Sequence, residues 1–230
     1  MAILPAPKVE RHGHVLVVRD DLIPGGSKRR VIDRLLVGGD EFVYASPAYG
    51  YAQIALAHAC RAAGKRATIF TAKRSDMHQR TREAAQAGAR VVMVPHGYLS
   101  NVKAKATAYC NATGAILIPF GMDLPIFGEA FAQIAAAIDT PPPAEVWTVA
   151  GSGTLSRALQ AAWPAAQFHA VRVGADPRAG RAALHVAPER FEDDARDPPP
   201  FPSCSNYDAK AWQFIRKLAA PGALFWNVAA

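Results

Sequence analysis

No apolar run in the chain approaches the length needed to cross a bilayer. Its first residues, MAILPAPKVERHGH, have no apolar core behind a basic start, so neither a membrane anchor nor a secretory leader is expected, and a cytoplasmic protein is. Cysteine is scarce. Cys60, Cys110 and Cys204 are odd in number, widely spaced and never in a CxxC pair, which excludes a zinc ribbon and fits a reduced compartment. Internal repeats and long low-complexity tracts are absent too. Half of the residues are apolar and a fifth are charged, the composition of a folded globular protein. With 230 residues the chain can bury a sizeable core, as one large domain or two small lobes.

What is present is an excess of positive charge. Lys and Arg number 26 against 19 Asp and Glu, a formal net charge of +7. That balance favours anionic partners such as phosphates, nucleic acid or carboxylates.

Short apolar runs alternate with alanine-rich segments of helical length. VLVV (15–18), FVYA (42–45), ATIFT (67–71), VVMV (91–94), AILI (115–118), VWTVA (146–150) and FHAVRV (168–173) read as strands. Helices are expected over 50–63, 76–87, 99–112, 127–138 and 154–162. This alternation predicts an α/β fold with mainly parallel sheets covered by helices. TPPPAE (140–145) reads as a stiff linker, and 176–203, rich in Pro, Asp and Arg, as a long surface loop. Beyond it, YDAKAWQFIRKLAA looks like an amphipathic helix and PGALFWNVA like a closing strand.

Two glycine turns stand out. In VAGSGTLSRAL (149–159), Gly151, Ser152, Gly153 and Thr154 lie between a strand and a helix. Glycines let backbone N–H groups approach an anion, the helix N-terminus adds a favourable dipole, and two hydroxyls add donors. The stretch reads as a single-phosphate cradle or as an ordinary tight turn. It lacks both GxGxxG and the GK[ST] of a Walker loop, so it suits a single phosphate better than a dinucleotide. The second turn, Gly25-Gly26, precedes Ser27, Lys28, Arg29 and Arg30. If Ser27 caps a helix with Val31, Ile32, Leu35 and Leu36 on one stripe, Lys28 falls in its first turn. There the helix dipole and two arginines disfavour an ammonium, which suits a nucleophilic lysine. The other reading is a basic surface patch.

His12 and His14 lack a third metal ligand at familiar spacing, and His58 reads as packed or exposed on its helix. Tyr49 and Tyr51 flank Gly50 just after a strand, where ligands of parallel sheets usually bind. They read as a cover for a flat ring or as packing.

Taken in order, these segments resemble the fold-type II (tryptophan synthase β-like) enzymes that use pyridoxal 5'-phosphate, nearest the aminocyclopropane-carboxylate deaminase and D-cysteine desulfhydrase branch. RDDLIPGGSKRRVIDRLL (19–36) is similar to "RxDL…GGNKxRKLE", whose lysine carries the cofactor. YGYAQIALAHACRAAGKRATIFT (49–71) resembles the helix after the "SGNTG" substrate loop, and DMHQRTREAAQAGARVVMVP (76–95) the next helix and strand. GSGT falls where the family binds the cofactor phosphate. NYDAKAW (206–212) resembles "VYTGKA", and ALFWNVA (223–229) the closing "VLFIHTGG".

The resemblance implies two lobes with the cofactor between them, residues 40–114 forming the smaller and 1–39 with 115–230 the larger, in a homodimer. It implies Lys28 as the cofactor-bearing lysine and Tyr207 as a proton-transfer residue facing the substrate. Gly151, Ser152, Gly153 and Thr154 are implied for the cofactor phosphate, Tyr49, Gly50 and Tyr51 for substrate, and Tyr51 also for the cofactor. The chain departs from the pattern at Tyr51 and Ala52, where the family has Asn and Thr, and at Asn227-Val228, where the branch has His-Thr. Asn227 is the candidate partner of the pyridine nitrogen. Losing the carboxylate-gripping loop relaxes the restraint that favours proton removal at Cα. With the positive charge, this suggests decarboxylation of an amino-acid-bearing thymine in bacteriophage DNA, a modification for which small relatives are known. Elimination or deamination of a free small amino acid, and a noncatalytic binding protein, are the alternatives.

Overall fold

The computed structural model describes residues 4–95 and 97–230. Their Cα positions form two compact units, Leu4 with Pro24–Asp123 and Pro5–Ile23 with Leu124–Ala230.

The first unit holds α1 (Arg29–Leu35), β3 (Glu41–Ala45), α2 (Ala52–Ala62), β4 (Arg66–Ala72), α3 (Gln79–Gln86), β5 (Arg90–Val94), α4 (Leu99–Thr113) and β6 (Ile116–Ile118). Its sheet runs β5-β4-β3-β6, every pair parallel. One face packs Val43, Ala45, Phe70 and Val94 against Val102, Ala106 and Cys110 of α4. Burying each valine and Phe70 here stabilises the fold by about 1.5–3 kcal/mol relative to exposure.

Residues 24–39 and 115–123 belong to this unit, whereas the larger lobe was expected to take them. Two contacts account for the difference. Ile116 of β6 stands opposite Phe42 of β3 in the sheet register. Gly25 sits so close to α2 that a Cβ there would lie 2.4 Å from the Cα of Ala55. At φ 91° Gly25 is also left-handed, so glycine is required twice over. The alanines of α2 answer that approach: Ala52, Ala55, Ala57 and Ala59 are all buried.

The second unit holds β1 (Val9–His12), β2 (Val15–Arg19), α5 (Pro125–Ala136), β7 (Glu145–Ala150), α6 (Thr154–Ala162), β8 (Gln167–Arg172), β9 (Ala183–Val186), α7 (Trp212–Leu218) and β10 (Leu224–Asn227). The sheet order is β1-β2-β10-β7-β8-β9. Among the described residues of this sheet, only the β1–β2 hairpin is antiparallel. β7 and β10 lie inside the sheet and are buried along their whole length, as continuous apolar runs require when both faces are covered. Trp147, Val149, Val171 and Phe225 pack with Phe201, Ala211 and Ile215.

Two strands lay hidden in the sequence. β1, VERH, is mostly polar because it is an edge strand. β9 interrupts the expected loop at 176–203 and forms the opposite edge. Much of the remaining loop is fastened. Lys210 is wholly buried and donates to the carbonyls of Arg190 (2.6 Å) and Phe191 (3.3 Å). Asn206 also donates to Phe191, and Glu189 accepts from Arg196 N and Gln213.

Candidate functional site

In the second unit β7 ends at Ala150 and α6 begins at Thr154, so the glycine turn is the whole connection. Gly153 adopts φ 83°, and a Cβ there would meet the Arg178 carbonyl oxygen at 2.2 Å. That carbonyl is backbone and cannot rotate aside. The 178–179 segment is in turn bound to the turn and to α6. Arg178 N donates to Ser152 O at 3.2 Å, while Ser156 Oγ (3.2 Å) and Gln160 Nε2 (2.7 Å) donate to Ala179 O.

The hydroxyls of Ser152 and Thr154 lie 3.0 Å apart, and the first turn of α6 contains no acidic residue. Neutral hydroxyls, backbone N–H groups and a helix N-terminus form a donor set suited to a phosphate. A side chain at Gly153 would push the walls of this turn apart. The residues therefore fit a phosphate group.

Tyr207 reaches this turn. Its hydroxyl accepts the Gly151 N–H at 2.9 Å and lies 3.5 Å from the Val149 carbonyl. Burial, then the charge of Asp208, pushes the phenol well above its ordinary pKa. The group expected to move a proton is thus bonded to the glycine turn and held protonated. Asn227, at the end of β10, is fully buried. Its amide accepts from Ser203 Oγ (2.7 Å) and donates to the Pro202 carbonyl (2.8 Å).

In the first unit, Gly26–Lys28 form one 3-10 turn that runs straight into α1. Ser27 is buried and lies inside this turn and not at the expected cap position, because the chain is already helical there. Lys28 is half-buried immediately before α1. Arg29, expected to share a basic patch, is buried and pairs with Asp33 one turn on. The three cations are therefore not one solvated patch.

The β3–α2 connection, residues 46–51, is closed on itself. Gly50 N donates to Pro47 O at 2.9 Å, and buried Gln53 donates to the carbonyls of Ala48 (3.0 Å) and Gly50 (2.9 Å). A Cβ on Gly50 would press on Ser46 Oγ at 2.9 Å. Tyr49 and Tyr51 are half-buried, and their rings are layered with cations. Arg74 lies 5.3 Å over Tyr49, and Arg80 lies 4.7 Å over Tyr51. His78 packs on Tyr49 with ring centroids 4.4 Å apart, and Arg80 also donates to the Tyr49 carbonyl. Burial, reinforced by Arg80, Arg74 and Arg82, lowers the His78 pKa.

The structure thus joins Tyr207 to Gly151, Ser152 to Thr154, and Tyr49 to the turn at Gly50. Sequence reasoning missed Gln53, Arg74, His78, Arg80 and Ser203. None belongs to a spaced motif, and each is recruited by its place in the fold. The remaining candidates read as structural. Burial pushes the Cys60 thiol up to about 12 and raises Cys110, while buried Cys204 donates to Asn206. Among the described residues no group of three or more His, Cys, Asp or Glu could hold a metal ion, and no helix is long and apolar enough to cross a membrane.

No family model and no curated protein matches the sequence. Solved structures do. One, an ACC deaminase homologue, superposes with a TM-score of 0.82 at 15% identity, covering 99% of this chain and 90% of the other. O-Acetyl serine sulfhydrylase isoform 3 from Entamoeba histolytica gives 0.73 at 14%, covering 99% and 86%. Threonine deaminase isoform 2 from Solanum lycopersicum gives 0.70 at 12%, covering 94% and 74%. The fold of the chain is that of the tryptophan synthase β-like, fold-type II enzymes.

Proposed function

We propose that the chain is a pyridoxal-phosphate-dependent enzyme acting at Cα of an amino-acid group. The observation that carries this reading is the turn at 151–154, where the neutral hydroxyls of Ser152 and Thr154 stand together at the head of α6 after left-handed Gly153. When bound, the cofactor supplies an electron sink for bond cleavage at Cα. Ser152, Thr154 and the first N–H groups of α6 would hold its phosphate, with Tyr207 fixing the Gly151 N–H; the resemblance of GGSK assigns Lys28 the side-chain amine that would carry it. Asn227 is assigned the ring nitrogen, its amide oriented by Ser203 and Pro202.

The test is spectroscopic. Purified protein mixed with pyridoxal phosphate is expected to show the visible-edge band of a lysine-bound cofactor, and Lys28→Ala to abolish it. A band that survives this substitution, or a protein that never takes up the cofactor, overturns the reading. The second result would leave a noncatalytic binding protein.

Within this reading, the substrate is an amino-acid group carried on a thymine of phage DNA, and the reaction is decarboxylation. The bond from Cα to the carboxylate breaks, the electron pair stays on Cα, and a proton takes the place of the departing carbon dioxide. Three observations support it. Tyr51 and Ala52 stand where related enzymes place the Asn and Thr of their substrate loop. The loop at 46–51 spends the Gly50 N–H, a donor that could otherwise meet a carboxylate, on the Pro47 carbonyl. The chain carries a net charge of +7. Carbon dioxide release from amino-acid-modified DNA is measured beside oxo-acid release from free cysteine, serine and cyclic amino acids. Turnover of the free amino acids alone would make the chain a small-molecule lyase or deaminase.

A further inference from the structure

We infer that the layered face formed by residues 46–51 and 73–82 of the first unit is a docking surface for the phosphodiester backbone of single-stranded nucleic acid. The inference rests on the reading that the substrate is carried on DNA, and it adds where and how the chain grips the polymer.

The face contains Lys73, Arg74, Arg80 and Arg82 against two acids, Asp76 and Glu83. Glu83 is already engaged by Gln79 at 3.0 Å. Lys73, Arg74 and Arg82 are exposed. These cations are not a loose spray of side chains. Arg74 and Arg80 rest on the rings of Tyr49 and Tyr51, at 5.3 and 4.7 Å, and His78 braces Tyr49. Stacking on an aromatic ring restricts a guanidinium at little desolvation cost. Arg80 is fixed again through the Tyr49 carbonyl, and its backbone N–H through His78 Nδ1 at 3.2 Å.

His78 titrates on the same surface, faced by Arg74, Arg80, Arg82 and Glu83. The three arginines keep the face cationic whatever the state of the imidazole. Cations arrayed along one surface supply the positive track that the phosphates of a flexible strand follow. A thymine has to leave its duplex, or be offered in single-stranded form, before its substituent can enter a pocket. A surface that holds the opened strand meets that need.

The experiment uses the full-length protein loaded with pyridoxal phosphate and a fluorescent, unmodified thymine-rich oligonucleotide across a range of salt. Arg74→Ala with Arg82→Ala removes two phosphate contacts. The affinity is expected to fall on the order of ten-fold, and the slope of log K against log salt to flatten by about 1.4, because each single-strand phosphate contact contributes about 0.7. The absorbance of the bound cofactor and the melting temperature are expected to stay unchanged, which separates lost docking from lost folding. Equal affinity and slope in the double variant overturn the surface even if modified DNA proves to be the substrate, and so does a wild-type protein that fails to bind the strand. Thymidine monophosphate competing as well as the oligonucleotide, phosphate for phosphate, would reduce the face to a single-anion site and likewise overturn it. Turnover of free amino acids alone, with docking intact and sensitive to both arginines, would refute the substrate reading and leave the surface standing.

Discussion

Replacing Gly153 with alanine tests whether the glycine turn is built for close backbone approach or is merely an ordinary connection. Two costs arise. A Cβ in the left-handed region costs about 1–2 kcal/mol. The new atom also lands 2.2 Å from the Arg178 carbonyl oxygen, 2.5 Å from its carbon and 2.8 Å from Ala179 N, where ordinary contact starts at 3.4 Å. Relief requires the 178–179 backbone to retreat, which strains the bonds from Arg178 N to Ser152 and from Ser156 and Gln160 to Ala179. Losing two of these at about 1 kcal/mol each brings the total to about 3–4 kcal/mol. Gly13 provides the control: its φ is 62°, and nothing lies within 4 Å of a Cβ placed there. Gly13→Ala should therefore show the conformational cost alone. At about 3 °C per kcal/mol for a chain of this size, thermal unfolding should shift by about 10 °C for Gly153→Ala and about 4 °C for Gly13→Ala. Pyridoxal phosphate should bind at least about ten-fold more weakly to the Gly153 variant, the equivalent of about 1.4 kcal/mol. Equal melting shifts in the two variants, with unchanged cofactor affinity, would refute the claim that the turn is held open by contact with 178–179.

Tyr207→Phe keeps the ring and removes the hydroxyl that accepts the Gly151 N–H. Cofactor affinity should fall about five-fold, the equivalent of about 1 kcal/mol, while phosphate-free pyridoxal binds as before; equal losses for both ligands would place the phenol elsewhere in the mechanism. Burial and then His169 lower the pKa of His185, whose Nε2 lies 3.0 Å from His169 Nδ1. The unfolded chain therefore binds the proton more readily, so stability should be full above the ordinary value of 6.5 and decline as pH falls below it. Urea midpoints from pH 8 to pH 5 check this, and His185→Gln should flatten that part of the profile. Glu10 is held down to about 2 by hydrogen bonds from Lys8, His12 and Arg19. Its contribution should be complete above the ordinary 4.5 and fade as pH drops towards 2, so wild type and Glu10→Gln should converge in acid. Lys210→Ala removes the buried donor to the 190 and 191 carbonyls; trypsin should then cut first at Arg190 or Arg196, sites it should spare in the wild type.

The sequence displayed those parts of the fold that are set by local composition. β7 and β10 are continuous apolar runs because they lie inside a parallel sheet, and the alternation with alanine-rich helices follows from covering both faces of such a sheet. β1 escaped because an edge strand has no need of an apolar face: VERH spends its side chains on Arg19 and Lys8 instead. β9 escaped because ALHV is short and lies in a proline- and charge-rich stretch whose order comes from distant donors such as Lys210 and Asn206. The same division runs through the candidate site. Gly153 was legible, since only glycine tolerates φ 83° against a backbone carbonyl. Arg74, His78 and Arg80 were not, since their meaning depends on where the excursion through α2 and β4 returns them: onto Tyr49 and Tyr51, which open that excursion. Tyr207 is the sharpest case. The motif around it was legible, but the task of its hydroxyl depends on Gly151, 56 residues earlier in the chain. A residue type and its neighbours fix what chemistry a side chain can perform, whereas the bond it makes across the fold decides which of those chemistries remains open to it.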